Sequence, residues 1–295
     1  MWAAPNGTIE MATRRLPWTG ALAATAILSF TAALRPAETA ADAPGVANPE
    51  TVVLEPGSFI HPLAGEFLKA GMPVPAPRVK TAISRPLEIM KYEVSASDYA
   101  LCVKAGACRP AEGAATGDMP VVGVSHLDAE TYADWYSRGT GESWRLPTDE
   151  EWGFAAAEDF TTDIESGDTN AANPALRGLA RYRAEAALGR RPDPKPRPRG
   201  SFGTNSKGLA DLKGNVWEWT SSCYVRATVD ELGRIENRID NCGVRVVEGF
   251  HRTYMSDFIR EGKSGACAVG TPPDNLGFRL VREKPGFLRK FLRLG

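Results

Sequence analysis

The residues best suited to chemistry crowd into one stretch, Gly249-Phe-His-Arg-Thr-Tyr-Met-Ser-Asp-Phe-Ile-Arg260. It gathers the imidazole of His251, the guanidinium groups of Arg252 and Arg260, the phenol of Tyr254, the thioether of Met255 and the carboxylate of Asp257. Polar and aromatic groups this dense suggest a pocket. A pocket can bind without catalysing. His61, His126 and His251 are too scattered for a histidine metal cluster by spacing.

A second candidate lies in Gly208-Leu-Ala-Asp-Leu-Lys-Gly-Asn-Val-Trp-Glu-Trp-Thr220. Asp211, Asn215 and Glu218 offer side-chain oxygens within a few residues, and the carbonyls of Gly214 and Val216 could complete a Ca²⁺ shell. The plainer alternative has Asn215 and Glu218 hydrogen-bonding nearby backbone while Trp217 and Trp219 pack the core. Arg145, Asp149, Glu150 and Glu151 form a third polar group whose expected role is structural ion pairing.

The five cysteines add constraints. Cys102 and Cys108 flank the turn Ala105-Gly106-Ala107 and are expected to pair, as are Cys223 and Cys242 at the base of a charged excursion over residues 226–241. Cys267 is left as the free thiol, either a small buried hydrophobe or a reactive or metal-binding group.

The elements that must position these groups are short. Strands are expected over Thr51–Ile60, with a bend at Pro56-Gly57, over Leu87–Val94 and over Pro120–Val124; residues 61–84 read as loop. One helix is expected over Ser97–Ala105, started by Ser95 or Ser97. A second runs from Ser125 to Gly139, and a third starts at Thr148, where Glu151 completes a capping box. Trp144–Leu146 is strand-like between them. Gly189–Gly200 alternates Pro with Arg and reads as an extended, solvated loop.

Lys and Arg number 35 against 36 Asp and Glu, so nothing argues for nucleic acid. At the N-terminus, Arg14 and Arg15 precede an apolar run from Gly20 to Leu34 and a small-residue site at Ala41-Asp42-Ala43, the order of an export signal. The run falls short of the roughly 20 residues that span a bilayer, which favours a cleaved signal; Pro44 after the small-residue site keeps an anchor in the inner membrane open. Met11 is an alternative start. The expected location is the periplasm, with residues 1–49 as signal or anchor plus linker, 50–284 as one domain and 285–295 as a basic amphipathic tail. The membrane would be met through the N-terminal segment if it is uncleaved.

Three blocks carry a resemblance. Pro120-Val-Val-Gly-Val-Ser125 leads to Trp144-Arg-Leu-Pro-Thr-Asp-Glu-Glu-Trp152; then come residues 208–220 and Asn275-Leu-Gly-Phe-Arg279. In this order they resemble the formylglycine-generating-enzyme (sulfatase-modifying-factor) family. The resemblance implies an irregular α+β fold with a C-type-lectin-like core and supports calcium at residues 211–218. It also implies that two copper(I)-binding cysteines should bracket the His251 segment, yet Phe250 and Met255 stand there, so formylglycine synthesis is not expected. The stretch from Asn241 through Met255 to Arg279 is similar to NirV-type proteins, which accompany copper nitrite reductases. That likeness implies an accessory or maturation role in denitrification, with a periplasmic copper enzyme as partner. The alternative, which the wider superfamily resemblance implies, is an oxygen-dependent oxidoreductase of altered chemistry, with His251, Tyr254, Met255 and Cys267 lining a copper or iron redox site.

Overall fold

The computed structural model describes residues 46–160, 195–262 and 275–283. The chain divides into Met1–Ala41 and Asp42–Gly295, and everything below belongs to the second unit. Its class is α+β: short strands and three helices. In chain order these are β1 (Thr51–Leu54), β2 (Gly57–Pro62), β3 (Glu66–Lys69), β4 (Met72–Val74), β5 (Arg78–Ile83), β6 (Leu87–Met90), α1 (Ala96–Lys104) and α2 (His126–Thr140). There follow β7 (Ser143–Arg145), α3 (Asp149–Ala156), β8 (Trp217–Val229), β9 (Ile235–Glu248), β10 (Thr253–Ser256), β11 (Leu276–Gly277) and β12 (Val281–Glu283).

One sheet runs β1-β6-β12-β7, a second runs β10-β9-β8-β3-β4 with β11 parallel to β8, and β2 pairs with β5 alone. Strands from the far end of the chain thus sit beside early ones, which brings the separated sequence blocks together. The main core lies where α1 and α2 meet the sheets: Tyr99 stacks on Tyr132 at 5.6 Å, and Phe278 meets Tyr132 edge-on at 5.5 Å. Trp219 and Met255 join them. A second core gathers Ile89, Trp152, Leu209 and Leu212. Each such side chain contributes roughly 1.5–3 kcal/mol by leaving water.

The helix starts are local chemistry. Ser125 and Thr148 each accept the N–H three residues on, from Asp128 and Glu151, whose carboxylates reach back to the cap N–H. Ser95, rather than Ser97, caps α1. Gly141, not Gly139, closes α2 in the left-handed conformation. Both expected disulfides are present, Cys102–Cys108 and Cys223–Cys242.

Three expectations are corrected. Residues 61–84 are not loop: they hold the end of β2 and all of β3, β4 and β5. Pro73 lies on β4, at the edge of its sheet, where a missing N–H costs least. Pro120–Val124 is largely buried, with Gly123 at φ 74°, and among the described residues it makes a single bridge, Pro120 to Ser95, and no strand. The charged excursion is an antiparallel ladder, the outer part of the β8–β9 hairpin, stapled by Cys223–Cys242. The leader, Cys267, residues 189–194 and the tail 285–295 lie outside the described residues.

Candidate functional site

Three polar assemblies result, and the residues of the 249–260 stretch divide among them. The turn between β9 and β10 packs on Trp217. A Cβ at Gly249 would lie 3.1 Å from the Trp217 Cα and ring, so any larger residue requires Trp217 or the turn to give way. The Trp217 indole donates to the His251 carbonyl at 3.1 Å, and the rings of Phe250 and His251 lie 6.3 and 5.6 Å from it. Trp217, Phe250 and His251 are all half-buried, making a small aromatic surface.

Alternation along β10 then separates the remaining residues. Thr253 and Met255 face inward, and Met255 is fully buried in the main core. Tyr254 faces the other way: its hydroxyl accepts the Gly65 N–H at 2.7 Å, and its ring meets Tyr224 edge-on.

Arg252 turns under the hairpin into the first assembly. Its Nε donates to Glu248 at 2.6 Å, Nη1 to the Pro62 carbonyl at 2.8 Å and Nη2 to Asp149 at 3.0 Å. His61 Nε2 meets the same Asp149 oxygen at 2.9 Å, and its ring stacks on Phe160. Burial opposes the charge of Arg252, but Glu248 and Asp149 outweigh it and raise its pKa. All four groups are at least nine-tenths buried, so they tie β2, α3 and the β9–β10 turn together rather than meeting solvent. His61 and Glu248 had no signal in the sequence, and Asp149 was expected in one polar group with Arg145, Glu150 and Glu151. Arg145 does ion-pair within that group, gripping Glu151 through both terminal nitrogens, and reaches Glu283, while Asp149 goes to Arg252.

Arg260 belongs to a second assembly, at the start of α2. It donates to Asp128 at 2.7 Å, to the Pro110 carbonyl and to Glu112, while Arg109 binds the other Asp128 oxygen. His251, Arg252, Tyr254, Met255 and Arg260 are therefore neighbours in sequence that do not converge on one pocket.

The third assembly joins the sequence blocks. Arg279, fully buried, holds both oxygens of Glu218 at 2.7 Å and caps the carbonyls of Met90, Lys91 and Ala210. The Trp152 indole donates to Glu218 at 3.0 Å. Bidentate geometry in a dry site makes this a strong contact. Nearby, Glu93 is fully buried 4.0 Å from Arg279, with neither oxygen hydrogen-bonded among the described residues.

The residues proposed for calcium are engaged with N–H donors. Asp211, at φ 63°, accepts the backbone N–H groups of Phe202 and Gly200, and Asn215, at φ 67°, exchanges two hydrogen bonds with the Arg197 backbone. They pin residues 197–202, and Gly214 lies under Phe202, where a Cβ would clash at 2.2 Å. Val216 is buried. A Ca²⁺ shell needs six to eight oxygens, and here Glu218 is held by a cation instead, so this arrangement does not fit the ion. Among the described residues, no group of three or more His, Cys, Asp and Glu is placed to hold a metal. Copper(I) fares no better at the turn: Phe250 has no donor atom, and the Met255 thioether is sealed in the core. The Arg197–Arg199 loop is also not merely solvated, since Arg199 binds Asp118 and the Glu93 carbonyl.

Comparison with known proteins agrees with the fold. The chain is 39% identical over 108 residues to the formylglycine-generating enzyme of Mycobacterium tuberculosis, covering 35% of this chain and 33% of that one. It is 35% identical over 176 residues to the inactive C-alpha-formylglycine-generating enzyme 2 of Mus musculus, covering 55% and 48%. It is 34% identical over 114 residues to the hercynine oxygenase of Mycolicibacterium smegmatis, covering 36% and 22%. The chain thus spans half or less of these relatives' length. The structure of PvdO from Pseudomonas aeruginosa superposes with a TM-score of 0.50 at 21% identity, over 80% of this chain and 95% of that one, a likeness of fold. Residues 36–284 match the sulfatase-modifying factor enzyme 1-like domain, and the chain belongs to that family.

Proposed function

We propose that this chain is an accessory, non-catalytic member of the family, exported to the periplasm, where it binds a protein partner and assists its maturation. The observation that carries the reading is the fate of the two positions that should hold copper: Phe250 lies against Trp217 and Met255 inside the core. The two disulfides support an oxidising compartment. A relative whose own name calls it inactive supports loss of the chemistry with retention of the fold. The likeness of residues 241–279 to NirV-type proteins favours a copper nitrite reductase as the partner. The test is to express such a reductase with and without this chain and to measure its copper content and activity in the periplasmic fraction. Higher copper loading with the chain supports the reading, and equal loading with no co-purification of the two proteins sinks it.

A second reading, an oxygen-dependent oxidoreductase of altered chemistry, is favoured by the likeness to a hercynine oxygenase. Its reactive groups would be those on the Trp217 surface, His251 first. It requires oxygen consumption that depends on His251, measured with added iron or copper.

A further inference from the structure

We propose that the outer edge of β9 over Asn237–Asn241 pairs with the same strand of a second copy of this chain. Every β9 residue from 235 to 243 is exposed. β10 covers the outer edge only from Val244 to Val247, so among the described residues the edge before it has no strand partner. Register with β8 is unbroken from Tyr224 opposite Asn241 to Thr228 opposite Asn237, with irregularities on either side. The Cys223–Cys242 bridge clamps the root of this segment, and Asp230 with Arg234 tightens the turn at its tip. A rigid edge with free backbone groups is a template for strand addition.

The order Asn237-Arg238-Ile239-Asp240-Asn241 selects the occupant, because it complements itself when read antiparallel. About a two-fold axis through Ile239, Arg238 of each copy faces Asp240 of the other, and Asn237 faces Asn241. Ile239, 69% exposed, covers its own counterpart. Within one chain Arg238 and Asp240 already meet at 2.8 Å, so both charges lie along the edge and need only exchange partners. The contact is isologous and small, which makes it a weak, concentration-dependent dimer.

Sedimentation velocity of the full chain over rising concentration tests this. The unmodified chain is expected to dimerise reversibly, and Ile239→Lys to raise the dissociation constant on the order of tenfold or more. Arg238→Asp and Asp240→Arg each set like charges opposite one another twice and weaken the dimer similarly. The two substitutions combined restore it, because the signs are exchanged but opposed again. Circular dichroism establishes that each variant is folded. Under mild oxidation Ile239→Cys is expected to give a disulfide-linked dimer, since directly opposed Cβ atoms lie about 4.5–5.5 Å apart, whereas Asn237→Cys does not. A chain that stays monomeric at every concentration, a dimer indifferent to the single substitutions, or a failure of the combined variant to recover overturns the proposal.

Discussion

Glu218→Gln keeps the shape of the side chain that joins the three sequence blocks and removes its charge. Arg279 then loses the partner that holds it at 2.7 Å and keeps three backbone carbonyls, with the carboxyl groups of Glu93, at 4.0 Å, and Asp211 nearby. Removing one member of a buried ion pair costs about 3–5 kcal/mol, a large part of the roughly 5–15 kcal/mol that holds a domain together. Glu93 decides where in that range the loss falls. Burial pushes its carboxyl up to about 8, with Arg279 opposing and Glu218 and Asp211 adding to the rise, so at neutral pH it carries a proton. In the open chain the carboxyl is ionised at pH 7, so holding this proton costs stability, and Glu93→Gln alone is expected to stabilise the fold at pH 7 by up to a few kcal/mol, at about 1.4 kcal/mol per pKa unit. Once Glu218 is neutral, however, Glu93 is the nearest remaining counter-ion and ionises. The double variant is then less stable than the sum of the single effects predicts, by about 1–2 kcal/mol. Urea unfolding followed by tryptophan fluorescence measures all three. The pH dependence has a defined sign: the folded pKa lies above the unfolded value of 4.5, so the contribution of Glu93 is full below about 4.5 and is lost as pH rises through about 8. Glu93→Gln flattens that slope. Strictly additive effects, or a Glu93→Gln variant as destabilised at pH 7 as Glu218→Gln, would contradict this.

Other outcomes follow from the same structure. Burial first, then Arg245, holds His126 down at about 3 against 6.5 in the open chain; stability contributed by its neutral form is therefore lost as pH falls from 6.5 toward 3, and His126→Leu removes that decline in urea midpoints. Arg252→Met leaves Glu248 and Asp149 buried without their cation and should cost about 3–5 kcal/mol, partly recovered by adding Asp149→Asn. Removing the Cys223–Cys242 bridge, which closes a loop of sequence separation 19, should cost about 3 kcal/mol and speed amide exchange along the outer hairpin. Gly249→Ala should cost about 1–3 kcal/mol and shift the Trp217 emission, because the added methyl meets the indole.

Local chemistry was legible in the sequence and long-range meetings were not. Ser125 and Thr148 announced their helices because a cap and its N3 carboxylate lie three residues apart. The two cysteine pairs were legible for a similar reason, each flanking one local excursion. The sequence blocks marked the right family, yet nothing in them said that Trp152, Glu218 and Arg279 would meet in one buried contact. His61 meets Arg252 across 191 positions and Asp149 across 88, and no periodicity reports such separations. The crowding of residues 249–260 suggested a shared pocket, but a turn and then strand alternation send Arg252, Tyr254, Met255 and Arg260 to different neighbours. Residues 61–84 read as loop because their prolines and glycines outweigh strands of only three to six residues.

On the reading proposed above, the family fold here carries no formylglycine chemistry. The direct measurement is to incubate the purified chain with copper(I), oxygen, a thiol reductant and a cysteine-containing sulfatase peptide, and to titrate aldehyde while measuring bound copper. No aldehyde above the peptide-only control and no stoichiometric copper are expected. Catalytic conversion of the peptide cysteine with one copper bound per chain would contradict it.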